Sequence, residues 1–295
     1  MQKTAPVVSA TLDAAAVPPW PARRVHTGGV ELSVVDEGPL RPAAGRRTLL
    51  LLHGAQGNWS HWRANVDELA RGGRVVVPDM PGFGLSEAAP AGDLDALAGT
   101  LADLVDRLGL HAVALVGYSF GSLVAVRLVA LRPDAIERLL IINPPGWRER
   151  SPEMVDLQAR AAARSKEAGV RAGVDFTLRE IMLRNHAHID QACLDQTEAA
   201  VRRFRMRTKD ISRSVDLFEL LGEVRIPWHV MFSAEDPYHR YRLQARCARL
   251  EAFKGAACTT VVRAARHWVQ QDRPETFNQL IAEFASGDAA LPATA

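Results

Sequence analysis

A serine set between two glycines, Gly117-Tyr118-Ser119-Phe120-Gly121, joins an apolar run to a helix-forming run. Such a junction requires a very tight strand-to-helix turn, which strains the central residue and lifts its side chain clear of the sheet. The glycines leave room for strand and helix to approach closely. A serine hydroxyl is a weak nucleophile at neutral pH, so chemistry at Ser119 needs a base and a third group to hold that base in one tautomer. Asp236 and His267 stand in the required order, each just past an apolar run that reads as a strand. The chemistry on offer is nucleophilic attack on a carbonyl.

The elements that must position these groups are legible in the same chain. A Gly28-Gly29 turn before the alternating run Val30 to Val35 reads as a hairpin. Continuous apolar runs at 48–52, 75–77, 112–116, 139–142, 228–232 and 259–262 read as strands buried on both faces. Between them lie helical periods, as in Leu94, Leu97, Leu101, Leu104, Val105 and Leu108, and in Phe277, Leu280, Ile281 and Phe284. This alternation gives an α/β fold with a mostly parallel sheet covered by helices on both faces, and such sheets bind ligands beyond the carboxyl ends of their strands. From Arg148 to Glu223 the chain is charged and helix-favouring without a buried strand, which reads as a helical insertion. Its arginines, Arg202, Arg203, Arg205, Arg207 and Arg213, read as a solvated face balanced by acids.

Composition narrows the function classes. With 36 basic and 34 acidic residues the net charge is +2, so no long-range field calls for a nucleic acid or an anionic membrane as partner. No stretch approaches a membrane span, and prolines break the start of the chain where a secretion signal would need a continuous apolar region. A cytoplasmic location is expected. Cys193, Cys247 and Cys258 lie too far apart to suggest a metal site and are read as idle free thiols; His186 and His188 lack further grouped ligands. Neither a metal nor a cofactor is expected.

The motifs His53-Gly54, Pro78-Asp79-x-Pro81-Gly82-x-Gly84-x-Ser86, Gly117-x-Ser119-x-Gly121, Asp236-Pro237 and His267-Trp268 together resemble the α/β-hydrolase fold, over roughly residues 24–284. The resemblance implies an eight-stranded, mostly parallel sheet with an inserted helical lid. It divides the chain into a core (25–146 and 226–285) and a lid (147–225), while composition alone makes residues 1–24 a flexible leader and the small-residue segment 286–295 a disordered tail. The resemblance makes Ser119 the nucleophile, His267 the general base and then acid, and Asp236 the orienting carboxylate. Glu235 and the strand end at Asn143 are the other places from which an acid could come. The backbone N–H groups of Ala55 and Phe120 become the oxyanion hole. Trp147 and Trp268 are candidate pocket residues, although aromatic side chains at a sheet end also serve plain packing.

Two departures stand out: Arg266 precedes the histidine where glycine is common, and Ser122 follows the second glycine of the turn. A serine at 119 also separates the chain from the dehalogenase and epoxide-hydrolase branches, which carry an aspartate there. The implied activity is hydrolysis of a small carboxylic ester or related acyl compound. Hydrolysis of a carbon–carbon bond in a meta-cleavage dienol is the alternative, because His267-Trp268-Val269-Gln270 is similar to that branch. A ligand-binding, receptor-like member with little turnover is the alternative of another class. A small-molecule substrate is the expected partner, and the oligomeric state, a homo-oligomer included, is left open.

Overall fold

The computed structural model describes residues 13–40, 45–89, 91–149, 151–287 and 291–295. Eight strands form one sheet: β1 (Ala22–Thr27), β2 (Val30–Glu37), β3 (Thr48–Leu52), β4 (Val75–Pro78), β5 (Val113–Tyr118), β6 (Ile136–Ile142), β7 (Trp228–Ser233) and β8 (Thr259–Val262). Their spatial order is β1-β2-β4-β3-β5-β6-β7-β8. β2 runs antiparallel to both β1 and β4, and all remaining pairs are parallel. Gly28 and Gly29 both hold positive φ, as a two-residue hairpin whose twist matches its strands requires.

Chain direction reverses its march across the sheet at β3. The next strand, β4, lies on one side of β3 and the one after, β5, on the other. The loops leaving β3 and β5 therefore diverge, which makes their carboxyl ends the switch point at which sheets of this kind bind ligands. His53 to Gly57 and Ser119 both lie there.

Alternation along β3 splits the core into two layers. Leu50 and Leu52 face one layer with Leu97, Leu101 and Leu104 of α2 (Leu94–Arg107); α3 (Phe120–Leu131) packs there too. Leu49 and Leu51 face the other, with Val66 of α1 (Val66–Gly72) and with Phe277 and Ile281 of the C-terminal helix Pro274–Ser286. A period of two in a strand and of 3.6 in each covering helix sends apolar side chains to both faces of the sheet.

Between β6 and β7 the chain forms α4 (Pro152–Ala168), α5 (Val170–Thr177), a single π-turn (Leu178–Met182), α6 (Gln191–Arg203), α7 (Thr208–Ser214) and α8 (Leu217–Glu223). Ser151, Asp190 and Asp216 cap three of these helices by accepting hydrogen bonds from first-turn N–H groups. Several of its arginines are engaged: Arg202 pairs with Glu198, Arg203 with Asp13, and Arg205 reaches the Ser86 carbonyl. After β7 come α9 (Leu243–Lys254), then, beyond β8, the short α10 (Val269–Asp272) and α11 (Pro274–Ser286).

Both chain ends depart from the sequence expectation. Residues 1–12 of the expected flexible leader lie outside the described residues, but Ala16 is buried and its carbonyl accepts the Trp59 indole N–H at 2.8 Å. Trp20 stands edge-on to Trp59 at 5.8 Å, so two aromatic side chains dock what composition alone reads as loose. At the other end, residues 291–295 are not a disordered tail. Ala295 N–H donates to Val261 O at 3.1 Å, Val261 N–H to Ala293 O at 2.9 Å, and Arg263 N–H to Ala295 O at 2.8 Å. The open side of edge strand β8 supplies backbone partners that small side chains do not advertise.

Candidate active site

Ser119 sits in the turn between β5 and α3 with φ 50° and ψ −121°, the strained geometry expected of it. The close approach leaves no space at either flanking glycine. A Cβ on Gly117 would lie 2.6 Å from Gly121 O, and one on Gly121 would lie 2.6 Å from Leu52 O. Because these obstacles are backbone atoms, Gly121→Ala should destabilise the fold by about 1–3 kcal/mol. A urea titration reads that loss, and an unchanged midpoint would contradict the packing described. The Ser122 hydroxyl donates to Gly117 O at 2.8 Å, so this departure from the resemblance braces the turn from inside.

The three residues singled out by sequence order come together. The Ser119 hydroxyl lies 3.0 Å from His267 Nε2, and His267 Nδ1 lies 2.7 Å from Asp236 Oδ2. An ionised carboxylate can only accept, which places the imidazole proton on Nδ1 and leaves Nε2 to accept the serine proton. Asp236 is fully buried. Burial by itself would raise its pKa, but attraction to His267 and His239, with hydrogen bonds from His267 and the Tyr238 N–H, outweighs this and holds it below the usual carboxylate range.

Ala55 and Phe120 occupy the ends of the diverging loops, Ala55 after β3 and Phe120 as the first residue of α3. Among the described residues neither N–H donates a hydrogen bond, as expected for Phe120 in the first turn of a helix. The loop bearing Ala55 is held from below. His53 Nε2 accepts from Met80 N–H at 3.0 Å while Nδ1–H donates to Gly54 O at 2.9 Å, and burial holds this ring neutral, its pKa lowered to about 4. Asp79 accepts the N–H groups of Trp59 and Leu85 at 2.8 and 2.9 Å, tying the neighbouring loops together.

Trp147 and Trp268, the candidate pocket residues, pack inside the protein, Trp147 against Phe232 and Trp268 against His61. Both are buried; the indole N–H of Trp147 donates to Pro144 O and that of Trp268 to His61 O. Glu235, the other acid weighed, is drawn outward by Arg184 at 2.9 Å. Asn143, with φ 45°, works as a brace: its amide donates to Ser233 Oγ and His267 O, both at 2.9 Å, and its carbonyl oxygen accepts Ser233 N–H.

Four nearby residues carried no sequence signal. His61 accepts Gly54 N–H at 3.1 Å beneath the Ala55 loop. The Tyr238 ring lies 4.6 Å from that of His267, and its hydroxyl accepts from Gln158 of α4 at 3.1 Å. His239 packs beside Asp236, and Arg246 donates to His239 Nδ1 and Tyr238 O beneath the faces of Trp147 and Tyr241. Histidines and an arginine at such spacings belong equally well on a surface, and only the folded chain turns them inward. Among the described residues there is no grouping of histidine, cysteine and acidic side chains that could hold a metal, and no helix is long and apolar enough to cross a membrane. Cys193 and Cys258 are buried free thiols, each pushed up to about 11 by burial.

Comparison with known proteins agrees with this architecture. Residues 49–280 match the model of the "Alpha/beta hydrolase family". Epoxide hydrolase 2 of Caenorhabditis elegans is 24% identical over 92% of this chain and 82% of its own length. The putative carbamate hydrolase RutD of Rhizobium rhizogenes is 26% identical over 83% of this chain and 94% of its own length. Among solved structures, the naproxen esterase of Bacillus subtilis superimposes with a TM-score of 0.76 at 19% identity, covering 96% of this chain and 99% of the esterase. A family match across most of the chain, an eight-stranded sheet of the same fold and relatives named as hydrolases lead to one conclusion: this chain belongs to the alpha/beta hydrolase family and is a hydrolase of that fold.

Proposed function

We propose that the chain is a cofactor-independent serine hydrolase acting on a small carboxylic ester or related acyl compound. The observation that carries the reading is the continuous relay from Ser119 Oγ through His267 to Asp236, at 3.0 and 2.7 Å. In this reading Ser119 Oγ attacks the acyl carbon as its proton passes to His267 Nε2, and Asp236 stabilises the imidazolium that forms. The carbonyl oxygen becomes an anion facing the N–H groups of Ala55 and Phe120, where each donor is worth about 3 kcal/mol in the transition state. The carbon–oxygen bond to the alcohol breaks as His267 returns its proton to that oxygen. Water, losing a proton to His267, then cleaves the acyl-serine, and the proton returns to Ser119.

Chemistry also explains why resemblance to an epoxide hydrolase does not transfer its reaction. A carboxylate that opens an epoxide leaves an ester that water can cleave. A serine hydroxyl would leave an ether, and the cycle would stop there.

A series of p-nitrophenyl esters from acetate to octanoate tests the proposal. Turnover with an optimum at one acyl length is expected, because the insertion between β6 and β7 is tied to the loop that carries His267. Absence of turnover across the series would refute it, and decay of a meta-cleavage dienol in its place would move the assignment to carbon–carbon bond hydrolysis.

A further inference from the structure

We propose that Asp272, at the end of α10, is a positioning residue for His267 that fastens the histidine loop to the helical insertion. The inference rests on the assignment of His267 as the base. Asp272 is only 3% exposed. Its Oδ1 accepts Arg184 N–H at 3.0 Å and Asn185 N–H at 2.9 Å, and its Oδ2 accepts Arg184 N–H at 2.8 Å and Arg266 N–H at 2.8 Å. Thus one carboxylate holds two residues of the insertion and the residue immediately before the base.

The rest of the histidine loop leans on the same segment. His267 N–H donates to Ile181 O at 3.3 Å and Trp268 N–H to Met182 O at 2.9 Å, both carbonyls belonging to the π-turn. The Arg266 guanidinium reaches Arg179 O in that turn, which gives the unusual residue before the histidine a structural task. Three successive N–H groups, at 266, 267 and 268, are therefore held either by the insertion or by a carboxylate shared with it. From the sheet side, Asn143 grips His267 O. Single π-turns often mark functional positions, and here one turns its carbonyls toward the loop that carries the base. Displacement of the insertion would pull His267 away from Ser119, so alignment of the base is coupled to the position of the insertion.

A carboxylate is required because both oxygens accept. In Asp272→Asn the amide must point its NH2 either at the N–H groups of Arg184 and Asn185 or at those of Arg184 and Arg266, and one side of the clamp opens. The direct readout is the far-downfield proton NMR signal of the His267 Nδ1–H bond to Asp236, which requires neither substrate nor nucleophile. Wild type and Ser119→Ala should both show it. Folded Asp272→Asn should lose it or broaden it into exchange, and its phosphonylation by a fluorophosphonate should slow about 100-fold, the scale of an ångström-sized misplacement.

An unchanged signal and rate in Asp272→Asn, with only its melting point lowered, would reduce Asp272 to a structural residue and overturn the proposal. A downfield signal that is present in wild type and lost in Asp272→Asn, without phosphonylation of either protein, would support the clamp while refuting Ser119 as nucleophile. If Asp272→Asn does not fold, amide hydrogen exchange in wild type decides. Common exchange kinetics for residues 184, 185, 266, 267 and 268 support the clamp, and independent opening of 184–185 from 266–268 overturns it.

Discussion

Ser119→Ala and His267→Ala are each expected to lower turnover of an activated ester by about 10⁴–10⁶-fold while leaving the fold intact by circular dichroism. The effect is large because the relay works as a unit: without Ser119 no acyl-enzyme forms, and without His267 the hydroxyl keeps its proton. The double variant should therefore be no worse than either single one. Asp236→Asn is expected to cost about 10⁴-fold, since an amide favours the wrong imidazole tautomer. Steady-state assays across the four variants check this, and additive losses would contradict a relay in contact at 3.0 and 2.7 Å.

Acid lability is the second large effect expected. Burial lowers the pKa of His53 to about 4, of His229 to about 4 and of His239 to about 3, and holds that of His61 well below its ordinary value. In the unfolded chain each histidine titrates near about 6.5. Between about pH 6.5 and 4 the unfolded chain therefore binds protons that the folded chain does not, and stability falls as pH falls. Asp79 runs the other way. Burial raises it to about 6, so the folded chain keeps a proton there that the unfolded chain releases above about 3.9.

His53, His229 and His239 against Asp79 leave a net uptake of about two protons on unfolding near pH 5, a slope of roughly 3 kcal/mol per pH unit, and His61 adds to it in the same direction. Urea midpoints at pH 7, 6 and 5 should drop steeply in that order. A flat profile, or greater stability at pH 5, would show that these rings are hydrated. His229→Gln, which removes one of the four, should reduce the slope by about one proton.

Both effects trace to residues of differing legibility. Ser119 was readable because a tight turn demands glycine at fixed offsets, and Asp236 and His267 because each follows an apolar strand. The strands themselves were visible as buried apolar runs, and their order along the chain implied the parallel sheet. His61, His239 and Arg246 were not readable, since a polar residue's burial depends on partners distant in sequence, as when Arg246 finds Trp147. The same cause hides the docking of residues 291–295, whose bonds come from the β8 backbone and not from their own side chains. Trp147 and Trp268 fit the packing role that their type and position also allowed: both are buried and their indole N–H groups are satisfied inside the protein.

The most direct test of the central claim is intact-mass analysis after incubation with a fluorophosphonate, on wild type, Ser119→Ala and His267→Ala. The account predicts one adduct on wild type, none on Ser119→Ala, and adduct formation slowed by orders of magnitude on His267→Ala. Absence of an adduct on folded wild type, or an adduct that persists in Ser119→Ala, would contradict it.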